Sequence, residues 1–377
     1  MTMIDEGIRS EAVTFHPEKG LALETITLAA PGKGQVRVDI KATGVCHSDL
    51  HILNGDWPVD RPLVMGHEAS GTVADIGPEV QGVAVGDHVV LSWFAPCGHC
   101  RNCAAGRGWL CTGTKALDNT LPDGTTAYSD ADGAPLWPYL GLGTFSNSVI
   151  VPESAVVVVP KELPFDVGAL LGCSITTGIG AVVNTAKVPM GSSTLVVGCG
   201  GVGLSIVMGL KLIGANPIIA ADVSEEKLAK AAELGATHTL RADTTDVVSW
   251  AQENYGGVDF AFEAIGRIQS IESLPGTLAP GGTAVLVGMT AQGLRASIDP
   301  FDLADQGKSI LGCNYGSSVA RVDIPKLAGL YLAGQLPLDQ LIGSVRPLHQ
   351  AQAALDDLRR GKGLRSVLRP ATAAADL

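Results

Sequence analysis

The sequence predicts an α/β protein of two domains, a barrel-like β domain and a doubly wound parallel sheet. The chain has 377 residues, a length that suits two domains of ordinary size. Short β-type runs broken by Gly and Pro fill the first half, whereas strand patterns alternate with helical patterns after about residue 175. We therefore predict the parallel sheet over 175–315, with 1–174 and 316–377 forming the β domain.

The strands of the β domain are predicted from alternation and from turns. Residues 35–40 read QVRVDI, in which apolar and polar side chains alternate with the period of a half-buried strand. Residues 87–91 read DHVVL and follow a turn at Val85 and Gly86. Both patterns are typical of an antiparallel sheet that buries one face.

The parallel sheet is predicted from apolar runs that are separated by helical segments. Strand patterns occur at 194–197, 217–221, 258–262 and 283–287. The residues at 203–214 form an apolar helical pattern, and those at 224–234 form an amphipathic one that ends at Gly235. The alternation stops at about residue 316, so we expect the C-terminal segment to return to the first domain.

Charge and hydropathy exclude several classes of protein. The chain has 26 basic and 38 acidic residues, a net charge of −12, and no block of Lys or Arg. We therefore expect neither nucleic acid nor a membrane as a partner. Apolar stretches fall far short of the roughly 20 residues that span a bilayer. Residues 1–10 contain Asp5 and Glu6 and lack the features of a signal peptide. A cytoplasmic protein is predicted.

Four of the eight cysteines lie close together, with the spacing C-x2-C-x2-C-x7-C. These thiolates can enclose Zn²⁺ in a tetrahedron that leaves no position for water or substrate, a structural site: Cys97, Cys100, Cys103 and Cys111. The alternative is a set of buried or disulfide-paired cysteines, although disulfides are unusual in a reducing compartment. A nucleic-acid-binding zinc finger is disfavoured because no basic helix accompanies the cluster.

A G-x-G-x-x-G motif follows the predicted strand at 194–197 and opens the next helix. This context is that of a dinucleotide-binding turn, in which the backbone approaches the pyrophosphate. The candidate cofactor-binding residues are Gly198, Gly200, Gly201, Val202 and Gly203. Asp222 ends the next strand, nineteen residues past Gly203. A carboxylate there accepts hydrogen bonds from the ribose hydroxyls and repels a 2′-phosphate, so NAD is favoured over NADP.

Three further segments carry residues that ligate metals: VCHSD at 45–49, GHE at 66–68 and LGCS at 171–174. Together with the four cysteines and the glycine motif, they resemble the zinc-containing alcohol dehydrogenases of the medium-chain dehydrogenase/reductase family over essentially the whole chain. The resemblance implies a GroES-like β-barrel domain and a Rossmann-fold domain. It also implies that Cys46, His67 and Cys173 hold a catalytic zinc, which acidifies a bound alcohol. Two zinc ions per subunit are expected.

The same resemblance assigns roles to residues around the zinc. Asp49 orients the liganding imidazole and Glu68 supports the metal site, with a plain buried ion pair as the alternative for Glu68. Ser48 and His51 form a proton relay through the cofactor ribose, unless His51 is an ordinary surface histidine. The family match also gives cofactor contacts at His47, Thr177, Lys227 and Arg365, and a substrate pocket at Trp57 and Trp93.

The resemblance leaves the substrate open between two branches of the family. The first acts on primary or small secondary alcohols. The second comprises thiol-dependent formaldehyde dehydrogenases, but Lys115 stands where their glutathione-linked members carry an anion-binding Arg. Polyol dehydrogenases usually have Glu in place of Cys173, and zinc-free quinone reductases lack both ligand sets. A non-catalytic, zinc-stapled nucleotide-binding protein is the remote alternative.

The segment 117–140 corresponds to a loop that is found in the dimeric members of the family and is missing from the compact tetrameric ones. We therefore expect a homodimer, with a tetramer as the alternative.

Overall fold

The computed structural model of the chain describes residues 7–371, so Asp5 and Glu6 and the segment 372–377 lie outside the described residues. The chain divides into two compact units. The first contains the residues up to Cys173, together with Val319–Leu332 and the segment from Ile342 onward. The second contains Ser174–Ser318 and Ala333–Leu341.

The described residues form strands along the whole chain. They are β1 (Ile8–His16), β2 (Gly20–Leu28), β3 (Gln35–Gly44), β4 (Leu63–Val64), β5 (Ala69–Ile76), β6 (His88–Leu91), β7 (Tyr128–Ser129), β8 (Pro135–Pro138), β9 (Ser148–Pro152), β10 (Val156–Val158), β11 (Thr194–Val197), β12 (Ile218–Asp222), β13 (His238–Arg241), β14 (Val258–Glu263), β15 (Leu278–Leu286), β16 (Ser309–Gly312), β17 (Ile342–Pro347) and β18 (Arg365–Arg369).

The α-helices range in length from four residues to thirteen residues. They are α1 (His47–Leu53), α2 (Arg101–Ala104), α3 (Phe165–Leu171), α4 (Ser174–Gly180), α5 (Gly201–Leu212), α6 (Glu225–Leu234), α7 (Val247–Tyr255), α8 (Ile268–Ser273), α9 (Pro300–Asp305), α10 (Ala320–Leu332) and α11 (Ala351–Arg359). A π-helical turn over Ala181–Ala186 extends α4.

The first unit contains a closed barrel with the strand order β1-β2-β7-β8-β4. The segment 117–140 was expected to be a loop, but it contributes β7 and β8 to this barrel. Tyr128 and Leu136 from these strands are buried in one apolar cluster with Ile26, Leu28 and Val64. Burial of these two side chains explains why the segment is ordered as part of the barrel.

The second sheet of the first unit has the order β10-β6-β5-β3-β18-β17, with β9 also paired to β3. The alternation predicted at 35–40 is present in β3, where Val36, Val38 and Ile40 are buried and their neighbours are partly exposed. The strand continues to Gly44 because β18 pairs with it there. This extension carries the chain from the sheet directly into α1.

The second unit is built on a six-stranded sheet with the order β13-β12-β11-β14-β15-β16, in which every neighbouring pair is parallel. The order reverses beside β11, so the carboxyl ends of β11 and β14 flank the switch point where such sheets bind nucleotides. Helix α5 begins at Gly201 rather than at the predicted residue 203, because Gly200 is extended and serves as the N-cap.

The units differ from the predicted ranges by the inclusion of Ser174, 316–318 and 333–341 in the second unit. Leu336, Leu338 and Leu341 are buried there, so the segment is held by apolar contacts that its sequence pattern does not reveal. Within residues 7–371, no single helix is long and apolar enough to cross a membrane. Helix α3 and the helical segment Ser174–Ala186 are separated by a bend, and they reach the required length and apolar composition only when they are counted together.

Candidate active site

Four side chains that can ligate a metal meet in the first unit. The sulfur atoms of Cys46 and Cys173, one ring nitrogen of His67 and one carboxylate oxygen of Glu68 all lie within 4.8 Å of one another. Cys46 follows β3 as the N-cap of α1, and Cys173 follows α3. His67 and Glu68 stand between β4 and β5. Three separate parts of the chain therefore converge on one point.

A glycine fixes the path of the chain before His67. Gly66 has a φ of +86°, and a Cβ atom there would stand 2.3 Å from Cδ1 of Phe145. Only glycine combines that backbone conformation with so close an approach. The tight turn places the buried imidazole of His67 against the thiols.

Asp49 positions two of the metal-ligating residues at once. Its Oδ1 lies 3.1 Å from Nδ1 of His67, and its Oδ2 accepts a 2.9 Å hydrogen bond from the backbone N–H of Cys46. Because a carboxylate accepts only, Nδ1 of His67 carries the proton and Nε2 has the lone pair. Nε2 is buried and has no hydrogen-bond partner among the described residues. An unpartnered nitrogen beside two thiols fits Zn²⁺.

The Cys46 thiol is more acidic than an ordinary cysteine. A hydrogen bond from Cys173 outweighs the effect of burial and holds the pKa of the Cys46 thiol well below its usual range. Cys46 therefore forms a thiolate readily, and the thiolate is the form of cysteine that binds metals.

Glu68 lies behind His67 and forms a buried ion pair. Its Oε2 accepts a 2.5 Å hydrogen bond from the guanidinium of Arg365, while its Oε1 is 4.0 Å from Nε2 of His67. Burial raises the pKa of Glu68 to about 8, although Arg365 acts in the opposite direction. The ion pair that was the alternative for Glu68 is thus present, and it lies next to the metal-ligating groups. Arg365 is itself buried.

The residues expected to relay protons lie on α1. His47, which is expected to contact the cofactor, is exposed at the first residue of the same helix. The backbone carbonyl of Ser48 accepts a 2.7 Å hydrogen bond from the hydroxyl of Tyr139. Nδ1 of His51 lies 2.9 Å from Oδ2 of Asp56. Ser48 and His51 are three residues apart, so they share one face of the helix.

Trp57 and Trp93, expected in the substrate pocket, pack against one apolar cluster in the first unit. That cluster also contains Tyr139 and Leu140. The ring of Tyr139 stands edge-on to His67, with 5.5 Å between the ring centroids. The apolar cluster against which the two tryptophans pack therefore reaches His67 through Tyr139.

The four remaining candidate ligands also come together. The sulfur atoms of Cys97, Cys100, Cys103 and Cys111 lie within 4.8 Å of one another. Hydrogen bonds from the backbone N–H groups of Cys103 and Thr112 lower the pKa of the Cys100 thiol to about 5. Four such sulfurs with no other ligand type fit a closed tetrahedral zinc site.

The glycine motif forms the turn between β11 and α5 in the second unit. A Cβ atom on Gly203 would lie 1.7 Å from the carbonyl oxygen of Gly198, so the turn closes only with glycine at that position. Nothing lies within 4 Å of a Cβ built on Gly200, which leaves the backbone open to a ligand. The N-terminal N–H groups of α5 have no side-chain cap and can bind a phosphate.

Asp222 ends β12 beside this turn. Its Oδ2 accepts a 2.7 Å hydrogen bond from the N–H of Cys199, and its Oδ1 accepts a 2.9 Å bond from the N–H of Ser224. Lys227 lies in the first turn of α6, which Ser224 caps. The carboxylate is thereby fixed at the carboxyl edge of the sheet, where a ribose is bound in this type of fold.

Helices α4 and α5 bring the last two predicted cofactor contacts near each other. A Cβ atom on Gly178 would lie 2.5 Å from the carbonyl oxygen of Val202, so the helices touch at this point. Thr177 directly precedes Gly178 in α4.

The sequence reasoning missed two polar residues of these sites. Asp56 pairs with His51. The sequence feature that could have revealed it is an acidic residue directly after the glycine that follows a helix, where the last turn of that helix carries a histidine. Glu263 is fully buried at the end of β14 and accepts hydrogen bonds from the N–H groups of Ile265 and Gly266. Its signal is an acid at the end of an apolar strand.

Comparisons with known proteins agree with this architecture. Residues 32–161 match the family "Alcohol dehydrogenase GroES-like domain", and residues 201–332 match the family "Zinc-binding dehydrogenase". The chain is 34% identical over 369 residues to an S-(hydroxymethyl)glutathione dehydrogenase of Paracoccus denitrificans, covering 95% of this chain and 98% of that protein. A protein of the same name from Saccharomyces cerevisiae is 36% identical over 368 residues, covering 95% of each.

Solved structures confirm the predicted fold class. An "alcohol dehydrogenase zinc-binding domain protein" from Burkholderia ambifaria superposes with a TM-score of 0.92 at 38% identity, covering 96% of this chain and 99% of that one. The benzyl alcohol dehydrogenase of Acinetobacter calcoaceticus gives a TM-score of 0.91 at 33% identity, covering 97% and 100%. The chain therefore belongs to the zinc-dependent alcohol dehydrogenases of the medium-chain dehydrogenase/reductase family.

Proposed function

We propose that this chain transfers hydride between NAD and a primary or small secondary alcohol, and that it reduces the corresponding aldehyde or ketone in the reverse direction. The observation that carries the proposal is the convergence of Cys46, Cys173 and the unpartnered Nε2 of His67. Three donors of this kind leave one position of a tetrahedral zinc open to substrate.

Cys46, His67 and Cys173 would hold the catalytic zinc, and the four clustered cysteines would hold a structural one. Bound at the first site, zinc supplies Lewis acidity that makes an alcohol easier to deprotonate. Asp49 binds Nδ1–H of His67, which orients the ring and leaves Nε2 as the nitrogen that would bind the metal. Glu68 and Arg365 form a buried pair beside these ligands.

The glycine turn at 198–203, Thr177, Asp222 and Lys227 would hold the NAD, with His47 and Arg365 as further contacts to its pyrophosphate. NAD supplies the hydride acceptor. The Ser48 hydroxyl would accept the proton of the alcohol while it donates its own proton onward through the cofactor ribose. The imidazole of His51 would accept that proton and release it to solvent. The Trp57 and Trp93 rings limit the space for the alcohol's carbon chain.

A panel of substrates tests the proposal. NADH formation is followed spectrophotometrically with alcohols of graded size, in the absence and in the presence of formaldehyde with candidate thiols. Rapid oxidation of free primary alcohols supports the proposed activity. No turnover of any free alcohol, by protein with its full zinc content, would reject it.

A thiol-dependent formaldehyde dehydrogenase is the second candidate function, and a specific cavity favours it. Lys115 and Arg61 line a cavity of about 470 Å³ together with Asp118 and Thr120. The two relatives named above are described as S-(hydroxymethyl)glutathione dehydrogenases. The Lys115 side chain would bind a carboxylate of such a thiol only in place of Asp118, with which it pairs at 3.1 Å. Turnover that requires both formaldehyde and a thiol would select this function.

We also propose a homodimer, which the presence of the segment 117–140 supports by the family resemblance. Light scattering with size-exclusion chromatography is expected to give twice the 38.7 kDa mass of the chain. A fourfold mass would indicate the tetramer instead.

Replacing Asp222 tests the choice of cofactor. We expect the unmodified protein to prefer NAD over NADP by about a hundredfold in kcat/KM, or about 3 kcal/mol, because a ribose contact is lost and a phosphate is repelled. Asp222→Gly is expected to narrow this preference, mainly by weakening the binding of NAD. The double variant with Asp222→Gly and Val223→Arg should favour NADP further. Asp259→Asn, at the opposite end of the sheet, is the control. Equal efficiency with both cofactors in the unmodified protein would contradict the assignment.

Replacing His51 tests the proton path. We expect His51→Gln to lower kcat/KM for alcohol oxidation by about tenfold or more, most strongly at low pH, because hydroxide is then too scarce to replace the imidazole as acceptor. Small bases added to the assay should restore part of the rate. A pH–rate profile that matches that of the unmodified protein would remove His51 from the path.

A further inference from the structure

The chain folds back on His51 directly after α1. The helix ends at Leu53, and Gly55 has a φ of +74°, which reverses the chain. The backbone N–H of Trp57 then donates a 3.2 Å hydrogen bond to the carbonyl of His51. The turn presents two successive side chains, Asp56 and Trp57, to the imidazole.

Both of these side chains contact the ring of His51. Oδ2 of Asp56 lies 2.9 Å from Nδ1. The Trp57 ring stacks on the imidazole with 4.4 Å between centroids and 22° between planes. The side chain of His51 is 18% exposed and that of Asp56 is 33% exposed, so the pair is partly shielded from water. The hydrogen bond to Asp56 holds the imidazole of His51 in its plane, and the Trp57 ring covers one of its faces. The imidazole therefore has little rotational freedom.

The hydrogen bond decides which ring nitrogen is the base. An ionised carboxylate offers only acceptor positions, so Nδ1 of His51 must carry a hydrogen to bond Asp56. In the neutral ring, Nε2 is then the nitrogen with the lone pair. Without Asp56 the two tautomers compete, and a fraction of the molecules presents Nε2–H, which accepts no proton.

We propose that Asp56 is a positioning residue for the proton path, which fixes the tautomer and the direction of the His51 ring. The proposal rests on the function proposed above, in which His51 passes the proton of the alcohol to solvent. Nε2 accepts that proton and later releases it to a solvent base. Nδ1–H stays bonded to Asp56 throughout, so no proton is transferred to the carboxylate. Asp56 also faces the imidazolium while the ring carries its charge.

The tautomer is measured without cofactor or turnover. In protein labelled with ¹⁵N-histidine, the ring nitrogens of His51 are assigned by comparison with His51→Gln, and spectra are recorded at a pH where the ring is neutral. We expect an Nδ1–H tautomer in the unmodified protein, and a large fraction of Nε2–H in Asp56→Ala. A ring that keeps the Nδ1–H tautomer in Asp56→Ala would overturn the proposal.

Kinetics then show whether the pairing matters for the reaction. We expect Asp56→Ala and the isosteric Asp56→Asn to lower kcat for alcohol oxidation about tenfold, with little change in KM for the alcohol. Small bases should restore the rate, and Asp56→Glu should retain more activity than Asp56→Ala. Glu24→Gln is the matched control, because it removes the carboxylate partner of another histidine, His16, at 3.2 Å. That variant is expected to keep the full rate.

The kinetic outcomes separate this inference from the proposed function. A slow His51→Gln variant together with full activity in Asp56→Ala and Asp56→Asn overturns the role of Asp56 and leaves the proton path intact. Full activity in the His51 and Asp56 variants alike overturns the proton path, and the role of Asp56 with it.

Discussion

Cys173→Ala is expected to remove one of two zinc ions per chain and to lower kcat/KM for alcohol oxidation by at least about a thousandfold. A metal at this position contributes several kcal/mol to stabilising developing charge, and about 4 kcal/mol corresponds to three powers of ten. The residue is one of the proposed ligands, is buried, and follows α3 rather than lying within it. The fold of the variant should therefore stay largely intact.

Metal analysis by mass spectrometry, steady-state kinetics and circular dichroism check this prediction together. Cys313→Ala is the matched control, since Cys313 is equally buried and is not among the clustered metal-ligating side chains. It should retain two zinc ions. Full activity in protein that holds one zinc per chain would contradict the two-site assignment.

Cys103→Ala is expected to act on stability rather than on chemistry. The lobe around the four cysteines has little apolar core of its own, because neither α2 nor the turn at Gly108–Leu110 buries a residue. Leu110 is 43% exposed. Zinc binding at such a site contributes folding free energy directly. A loss of several kcal/mol, at about 2–4 °C per kcal/mol, should lower Tm by about 10 °C.

Differential scanning calorimetry with zinc quantification measures this effect. His99→Ala is the control within the same lobe, since the ring of His99 bonds to the carbonyl of Cys97 and is not among the clustered ligands. It should keep its metal and its Tm. A Cys103→Ala variant with an unchanged Tm would show that the lobe does not depend on the metal.

The parallel sheet could be predicted because its strands are buried on both faces. Residues 195–197 and 217–221 are unbroken apolar runs, and the structure has β11 and β12 there. Strands β7 and β8 could not be predicted, since one has two residues and the other begins and ends with proline, which usually argues against a strand. Their pairing comes from contacts with β2 and β4, which are remote in the sequence.

Distance along the chain also decides how much of the site the sequence reveals. The four cysteines at 97–111 lie close enough for their spacing alone to predict a cluster. Cys46, His67 and Cys173 are separated by 21 and 106 residues, so only the resemblance to a family grouped them. The pairing of Asp56 with His51 depends on the turn at Gly55, and its geometry is visible only in three dimensions.

The lobe at 97–111 has a consequence for the conditions under which the protein persists. Other parts of the chain are stabilised by buried apolar side chains, whereas this lobe is held together by its four sulfur atoms. Among them, the Cys100 thiol has a pKa of about 5. Thiolates that lose their metal are open to oxidation. The lifetime of the folded chain should therefore follow the supply of zinc and the redox state of its surroundings, so that chelators and peroxides shorten it at temperatures where heat alone does not.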